Sequence, residues 1–219
     1  STEAERWKIR RRDVARAVRC AGHSAPGPDG LPYAAWKAAG AYGVDALWQA
    51  AKRMGTEEGC GALDASYGDE EAYHFNLDLL CCLPKKPTGS TQDGEPAFLP
   101  SDTRPLAIVD TANRLIANAA RLRWEKLLVS WIHPAQRGFL PHRSMLANVI
   151  DLEESAVETN LVEEDGAAVL VDLSAPFPSS AHDLAALAHS GVPPAALAFS
   201  QALGHKTGAE MQMSGTRGG

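Results

Sequence analysis

Residues 104–150 read RPLAIVDTANRLIANAARLRWEKLLVSWIHPAQRGFLPHRSMLANVI, and the rest of the chain is organised around them. The stretch opens with a short apolar run, RPLAIV, that reads as a strand over 104–109. Asp110 or Thr111 then stands where a helix N-cap belongs. Leu115, Ile116, Ala119, Leu122 and Leu127 follow at the 3–4 spacing of a buried helical stripe, with Arg114, Arg121 and Lys126 off that stripe. Ile132-His133-Pro134 stops the helix. A basic loop, Gln136 to Arg143, leads to Ser144, which suits the N-cap of a second helix running to about Thr159. Between Arg104 and Arg143 seven Lys/Arg face two acids, a local excess of five positive charges in a chain whose net charge is -6. That contrast points to an anionic partner at this place, although a solvated helix face would carry the same charges.

Upstream of this stretch, residues 79–83 form an apolar run that reads as a buried strand and the other arm of a hairpin with 104–109. The run ends on Pro84-Lys85-Lys86-Pro87. The pairing brings Arg104 close to Lys85 and Lys86, a positive cluster of the size of a triphosphate. An ordinary charged turn would read the same way. Residues 88–102 between the arms are polar and Gly/Pro-rich, and are expected to be flexible. Cys81 and Cys82 are expected to be buried reduced thiols.

Earlier still, residues 1–20 carry seven Lys/Arg and three acids, with Trp7, Val14 and Val18 at near-helical spacing. This is an amphipathic helix with a basic face, fit for nucleic-acid contact, a nuclear address or simply the surface. Ser24-Ala25-Pro26-Gly27-Pro28-Asp29-Gly30 is a turn-rich loop stiffened by proline. Pro32 opens a helix whose packing face is Tyr33 and Trp36, and a second helix is expected over 44–54. Residues 56–78 hold seven acids and no Lys or Arg, and read as a mobile solvated insertion.

Downstream, residues 151–165 hold seven acids and no base. Residues 167–172, AAVLVD, read as a buried strand ending on Asp172. A carboxylate there costs free energy unless it is paired or holds a metal, which makes Asp172 the candidate chemical residue, with a turn or N-cap role as its rival. Ser179-Ser180 and Pro193-Pro194 open two more helices.

At 219 residues and 45% hydrophobic the chain has material for a core. No apolar run approaches the roughly 20 residues of a membrane helix, and the charged STEAERWKIRRR start lacks a signal-peptide core. An intracellular, nuclear or cytoplasmic setting is expected, with no membrane partner. Four cysteines make no disulfide framework, and the seven histidines lack zinc spacing.

Taken in order, these pieces resemble the reverse transcriptase of non-LTR, LINE-type retrotransposons. Ala25-Pro26-Gly27-Pro28-Asp29-Gly30 resembles the family's APGPDG motif. Leu83-Pro84-Lys85-Lys86 resembles its fingers-strand PKK, and Arg104-Pro105-Leu106 its RPI segment. The block from His133 to Ser144 is similar to HPDQTGFIPGRS, closer than to the maturases of group II introns. Val171-Asp172-Leu173-Ser174-Ala175-Pro176-Phe177 resembles the first palm motif, D-x-x-K-A-F-D. Ser214-Gly215-Thr216-Arg217-Gly218-Gly219 resembles the start of G-x-R-Q-G.

The resemblance implies an α+β, helix-rich fold. It would comprise a basic N-terminal helix over 1–23, right-hand polymerase fingers with a short hairpin over 24–165, and a partial palm with an incomplete sheet over 166–219. It implies RNA-directed DNA polymerase activity in the parent, with RNA template, DNA primer and deoxynucleoside triphosphates as partners. Two Mg²⁺ or Mn²⁺ ions would assist, with Asp172 as a ligand. Lys85, Lys86 and Arg104 would hold the triphosphate, and Phe177 would reject a ribose hydroxyl. Arg137, Gly138, Arg143, Ser144 and Arg217 would lie along nucleic acid.

The departures are specific. Ala175-Pro176-Phe177-Pro178 replaces Lys-Ala-Phe-Asp, and two prolines constrain the gate. The paired-aspartate motif does not occur before Gly219. The expectation is therefore a polypeptide that does not polymerise DNA alone, holds its metal weakly and is prone to aggregate. A decayed or co-opted nucleic-acid binder and an acidic helical interaction protein are the alternatives.

Overall fold

The computed structural model describes residues 3–66, 74–99, 102–162, 166–172, 184–204 and 208–211. They form a mixed helical and sheet structure of the α+β class. The helices are α1 (Glu3–Trp7), α2 (Arg11–Cys20), α3 (Tyr33–Ala38), α4 (Gly40–Met54), α5 (Glu57–Ser66), α6 (Thr111–Leu128), α7 (Met145–Val162), α8 (Leu184–His189) and α9 (Pro194–Gly204). The strands are β1 (Leu77–Pro84), β2 (Gly89–Ser90), β3 (Pro96–Ala97), β4 (Thr103–Val109) and β5 (Gly208–Met211).

Spacing explains the core. Val14, Ala17 and Val18 put one face of α2 inward, and Val44, Leu47, Ala51 and Met54 do the same for α4. They meet Leu115, Ile116, Ala119 and Ala120 of α6 and Phe199 and Ala202 of α9 in one cluster. Leu115 and Ile116 are essentially inaccessible, and each such side chain contributes about 1.5–3 kcal/mol by leaving water. A smaller cluster gathers Trp7, Val192 and Ala196 around Trp124 and Leu127. Arg11 grips Asp45 with both ends of its fork, at 2.5 and 3.3 Å, and fixes α2 against α4.

The sheet has the order β4-β1-β5. β1 and β4 are antiparallel, with Leu83 opposite Arg104 and Leu80 opposite Ala107. β5 runs parallel to the first half of β1, Leu77 opposite Gly208. The buried end of β1 is tied down by Asn76, whose side chain donates to the Ala202 carbonyl (2.8 Å) and accepts from Asn113 (3.0 Å). Toward its other end the hairpin leaves the body, and Leu83 and Leu106 are about half exposed.

Several expectations need correction. Residues 57–66 of the acidic segment form α5. Thr56 caps it through the Gly59 amide (3.1 Å), and Cys60 and Leu63, three apart, pack on the core. Within residues 88–99, β2 and β3 pair across a turn at Gly94, whose φ is 81°. Cys82 is exposed and Cys81 half-buried: among the described residues this part of β1 has only β4 beside it. Asp110 lies at the N-cap of α6 but makes no cap bond; its carboxylate turns elsewhere. Most important, residues 167–172 form no strand. Val169, Leu170 and Val171 are about four-fifths exposed, with no neighbouring strand among the described residues to take their amides. The sheet position beside β1 is held by β5, which the sequence reading did not foresee. The proposed cap at Ser179-Ser180 lies outside the described residues.

Candidate functional site

The hairpin brings the backbone of the expected cations to one end of the β1–β4 pair. Lys85 and Lys86 follow β1 directly, Arg104 lies one residue into β4, and the Lys85 amide donates to the Asp102 carbonyl at 2.9 Å. All three side chains belong to exposed residues. Among the described residues Lys86 and Arg104 have no ion-pair partner. Thr88 donates to the Asp102 carboxylate in a short contact, which orients that acid toward the β2 side of the turn. The result is a projecting, water-exposed cationic tip on a paired backbone. Chemically it can hold an anion with several oxygens, Arg as a planar fork and Lys as point charges.

The basic loop after α6 is differently used. Arg143 does not reach outward: it donates to the carbonyls of Val129 (2.9 Å), Ile132 (3.0 Å), His133 (2.8 Å) and Gln136 (2.7 Å). It thereby satisfies carbonyls that the end of α6 and the following turn leave open. Arg137 pairs with Asp151 of α7 at 2.6 Å. Ser144 caps α7 by accepting the Leu146 amide at 3.3 Å, as its place before the apolar run suggested. Gly138 sits close to Met145, whose Sδ a Cβ would meet at 3.2 Å. The loop instead presents Phe139, fully exposed and held at φ 61°, with His142 at φ 62°. Positive φ at bulky residues is uncommon, and the Arg143 clamp is the contact network that holds this loop.

Similar internal use accounts for most of the local positive excess. Arg121 pairs with Glu125 at 2.8 Å, and Arg123 donates to the Glu5 carbonyl at 3.4 Å. Arg114 donates to Ser24 Oγ (2.9 Å) and to the Ala25 carbonyl (2.6 Å), and stacks on Tyr33 at 5.2 Å. Arg104 and Lys126 remain without a hydrogen-bonded side chain among the described residues.

The Arg114 contacts belong to a clasp that the sequence reading missed. The PGPDG loop lies on the first turn of α6. The Asp29 amide donates to Asp110 Oδ1 at 3.0 Å, Thr111 Oγ1 donates to the Leu31 carbonyl at 2.8 Å, and Trp36 Nε1 donates to Thr111 Oγ1 at 2.9 Å. Asp110 is inaccessible and its Oδ2 has no partner among the described residues. Burial raises its pKa to about 6, with the nearby Asp29 carboxylate adding to the rise and the Asp29 amide and Arg114 opposing it. Two readable signals pointed here: a rigid loop needs an anchor, and a carboxylate ends the apolar run 104–109.

Asp172 is exposed, at the end of an exposed segment. Among the described residues no three His, Cys, Asp or Glu side chains converge as metal ligands. The described surroundings of Asp172 thus do not fit a two-ion centre, which needs several carboxylates around ions roughly 4 Å apart. Phe177 and Arg217 lie outside the described residues. No protein-family model matches the chain, and no curated protein matches it. Among the described residues no helix is long and apolar enough to cross a membrane.

Proposed function

We propose that this chain carries fingers and palm segments like those of a reverse transcriptase of the non-LTR type, and that it binds deoxynucleoside triphosphate and primer–template without joining them, since the described residues around Asp172 gather no set of metal-ligating carboxylates. The observation that carries the reading is the hairpin tip. Pairing of Leu83 with Arg104 brings the backbone of three cations to one end of the β1–β4 pair, the nearest in sequence across it, Lys86 and Arg104, being 18 residues apart. Such a cluster matches a triphosphate in charge and in donor chemistry. The order of the six motifs supports the same reading. Lys85, Lys86 and Arg104 bind phosphate oxygens; the Gln136 to Ser144 loop, shaped from within by Arg143, offers Phe139 as a flat surface for a base.

No catalytic step is assigned to Asp172. The reading is tested by titrating a labelled RNA–DNA primer–template with the protein and then adding triphosphate and Mg²⁺ or Mn²⁺. Saturable, salt-sensitive binding without primer extension is expected. Absence of binding at low salt contradicts the proposal. Extension that is lost in Asp172→Ala contradicts its second half.

A further inference from the structure

The N-terminal helical layer carries a strongly charged surface that has no part in the hairpin tip. α2 turns Val14, Ala17 and Val18 into the core, and Arg12, Arg16 and Arg19, at i, i+4 and i+7, lie on the opposite side of the same helix. All three are exposed, and among the described residues none has an ion-pair partner. At 1.5 Å per residue the row is about 10 Å long. The other exposed residues of α2 are Arg11, which Asp45 holds, and Cys20, so no large apolar side chain interrupts the row.

The positive charge continues past the first turn of α2. Arg6 of α1 and Arg10, the residue before α2, are exposed and likewise have no ion pair among the described residues. Both lie near Arg123 of α6, as does Arg12: burial first, and then Arg10, Arg12 and Arg6, depress the Arg123 pKa, with Asp13 opposing. Of the acids nearby, Asp13 accepts the Arg10 amide at 2.9 Å, and Glu5 is taken by Lys8 in a short ion pair. Guanidiniums gathered this way repel one another, and an anion laid along them relieves that repulsion.

We propose that the outer face of α2, Arg12, Arg16 and Arg19 with Arg6 and Arg10 at its end, is a docking surface for the phosphodiester backbone of a nucleic acid, held by charge and without regard to sequence. A row of guanidiniums matches a row of phosphates in sign and in fork geometry, and backbone contacts of this kind carry no base readout. An anionic lipid surface fits less well, since the row offers no Leu, Phe or Trp to enter the acyl region. An acidic peptide would be anchored by buried aromatic or apolar side chains, which a row of guanidiniums alone does not receive. The surface shares no residue with the hairpin tip and does not rest on what the tip holds.

The test titrates the full chain into labelled RNA–DNA duplexes of two unrelated sequences, without triphosphate, over a series of salt concentrations. Both duplexes are expected to bind within about twofold of each other. Arg12→Gln with Arg16→Gln should weaken binding of both by about tenfold and lower the salt slope by about two. Arg53→Gln with Lys126→Gln removes the same charge from exposed positions elsewhere and should change affinity less than about twofold. Lys86→Ala with Arg104→Ala should leave duplex binding in place. A second measurement needs no variant: duplex should shield Arg12, Arg16 and Arg19 of the wild-type chain from an arginine-selective dicarbonyl reagent, read by mass spectrometry. Equal binding by the α2 variant and the wild type, an equal loss in the Arg53 and Lys126 control, or modification rates that duplex leaves unchanged overturns the assignment. Competition by poly-glutamate as strong as that by unlabelled duplex overturns the choice of nucleic acid. Loss confined to the Lys86 and Arg104 variant overturns the α2 surface and leaves the primer–template reading standing.

Discussion

The backbone amide of Asp29 donates to Oδ1 of Asp110 across 81 residues of chain, at 3.0 Å, and ties the proline-rich loop to the first turn of α6. The tie joins the N-terminal helical layer to the hairpin, since Asp110 directly follows β4.

A pH dependence follows from that carboxylate. Burial raises the Asp110 pKa from its ordinary value of 3.8 to about 6. Between these values the folded chain holds a proton that the unfolded chain has lost. This contribution to stability is therefore fully present below about 4 and is lost as pH rises through about 6. Asp110→Asn keeps an oxygen for the Asp29 amide and cannot ionise. Denaturant melts at several pH values should show a flatter profile over that window and a more stable protein at pH 7.

Gly27 is the loop's closest approach to the same carboxylate. A Cβ there would lie 2.5 Å from the Asp110 backbone nitrogen and 2.6 Å from its Cα. Backbone cannot swing aside as a side chain does, so Gly27→Ala should cost about 3 kcal/mol in chemical denaturation. Gly22→Ala, where a Cβ meets nothing within 4 Å, serves as the control and should be nearly neutral.

Arg143 offers a test of the basic loop. Arg143→Ala removes four donated bonds to carbonyls around the end of α6. The expected loss is about 2 kcal/mol, with faster amide exchange at 129–144. Arg143→Lys should recover only part, because an ammonium lacks the planar fork. If Arg143 instead contacted nucleic acid directly, Arg143→Ala would weaken primer–template binding and leave stability and exchange unchanged.

The surface of α7 carries a further consequence. Leu146, Val149, Ile150, Leu152, Val157 and Leu161 are each about half exposed or more, and no residue of the helix is buried. Apolar patches of this kind promote association. Sedimentation should show self-association rising with concentration, reduced by Val149→Lys together with Val157→Lys.

Periodicity was the reliable signal in this chain. Val14 and Val18, Leu115 and Ile116, the cap at Ser144 and the helix start at Pro194 carry their structural reasons within a few residues, and the β1–β4 hairpin was legible from two apolar runs with charged ends. What misled was local chemistry read without its partners. The run 167–172 has strand composition, but a strand exists only beside another, and β5 occupies the place next to β1. The arginines of 114, 137 and 143 read as an external positive field, whereas carbonyls and Asp151 claim them. Acidity in 57–66 masked the apolar pair Cys60 and Leu63 that seats α5.

The central claim is that the hairpin tip holds a triphosphate. Its most direct measurement is equilibrium titration of a fluorescent deoxynucleoside triphosphate, and of its monophosphate, into the wild-type chain and into Lys86→Ala with Arg104→Ala. Both substituted residues are exposed, so the fold should be unaffected. The account predicts tighter binding of the triphosphate than of the monophosphate, and a loss of about tenfold or more in the double variant. Equal affinity of both proteins for the triphosphate would contradict it.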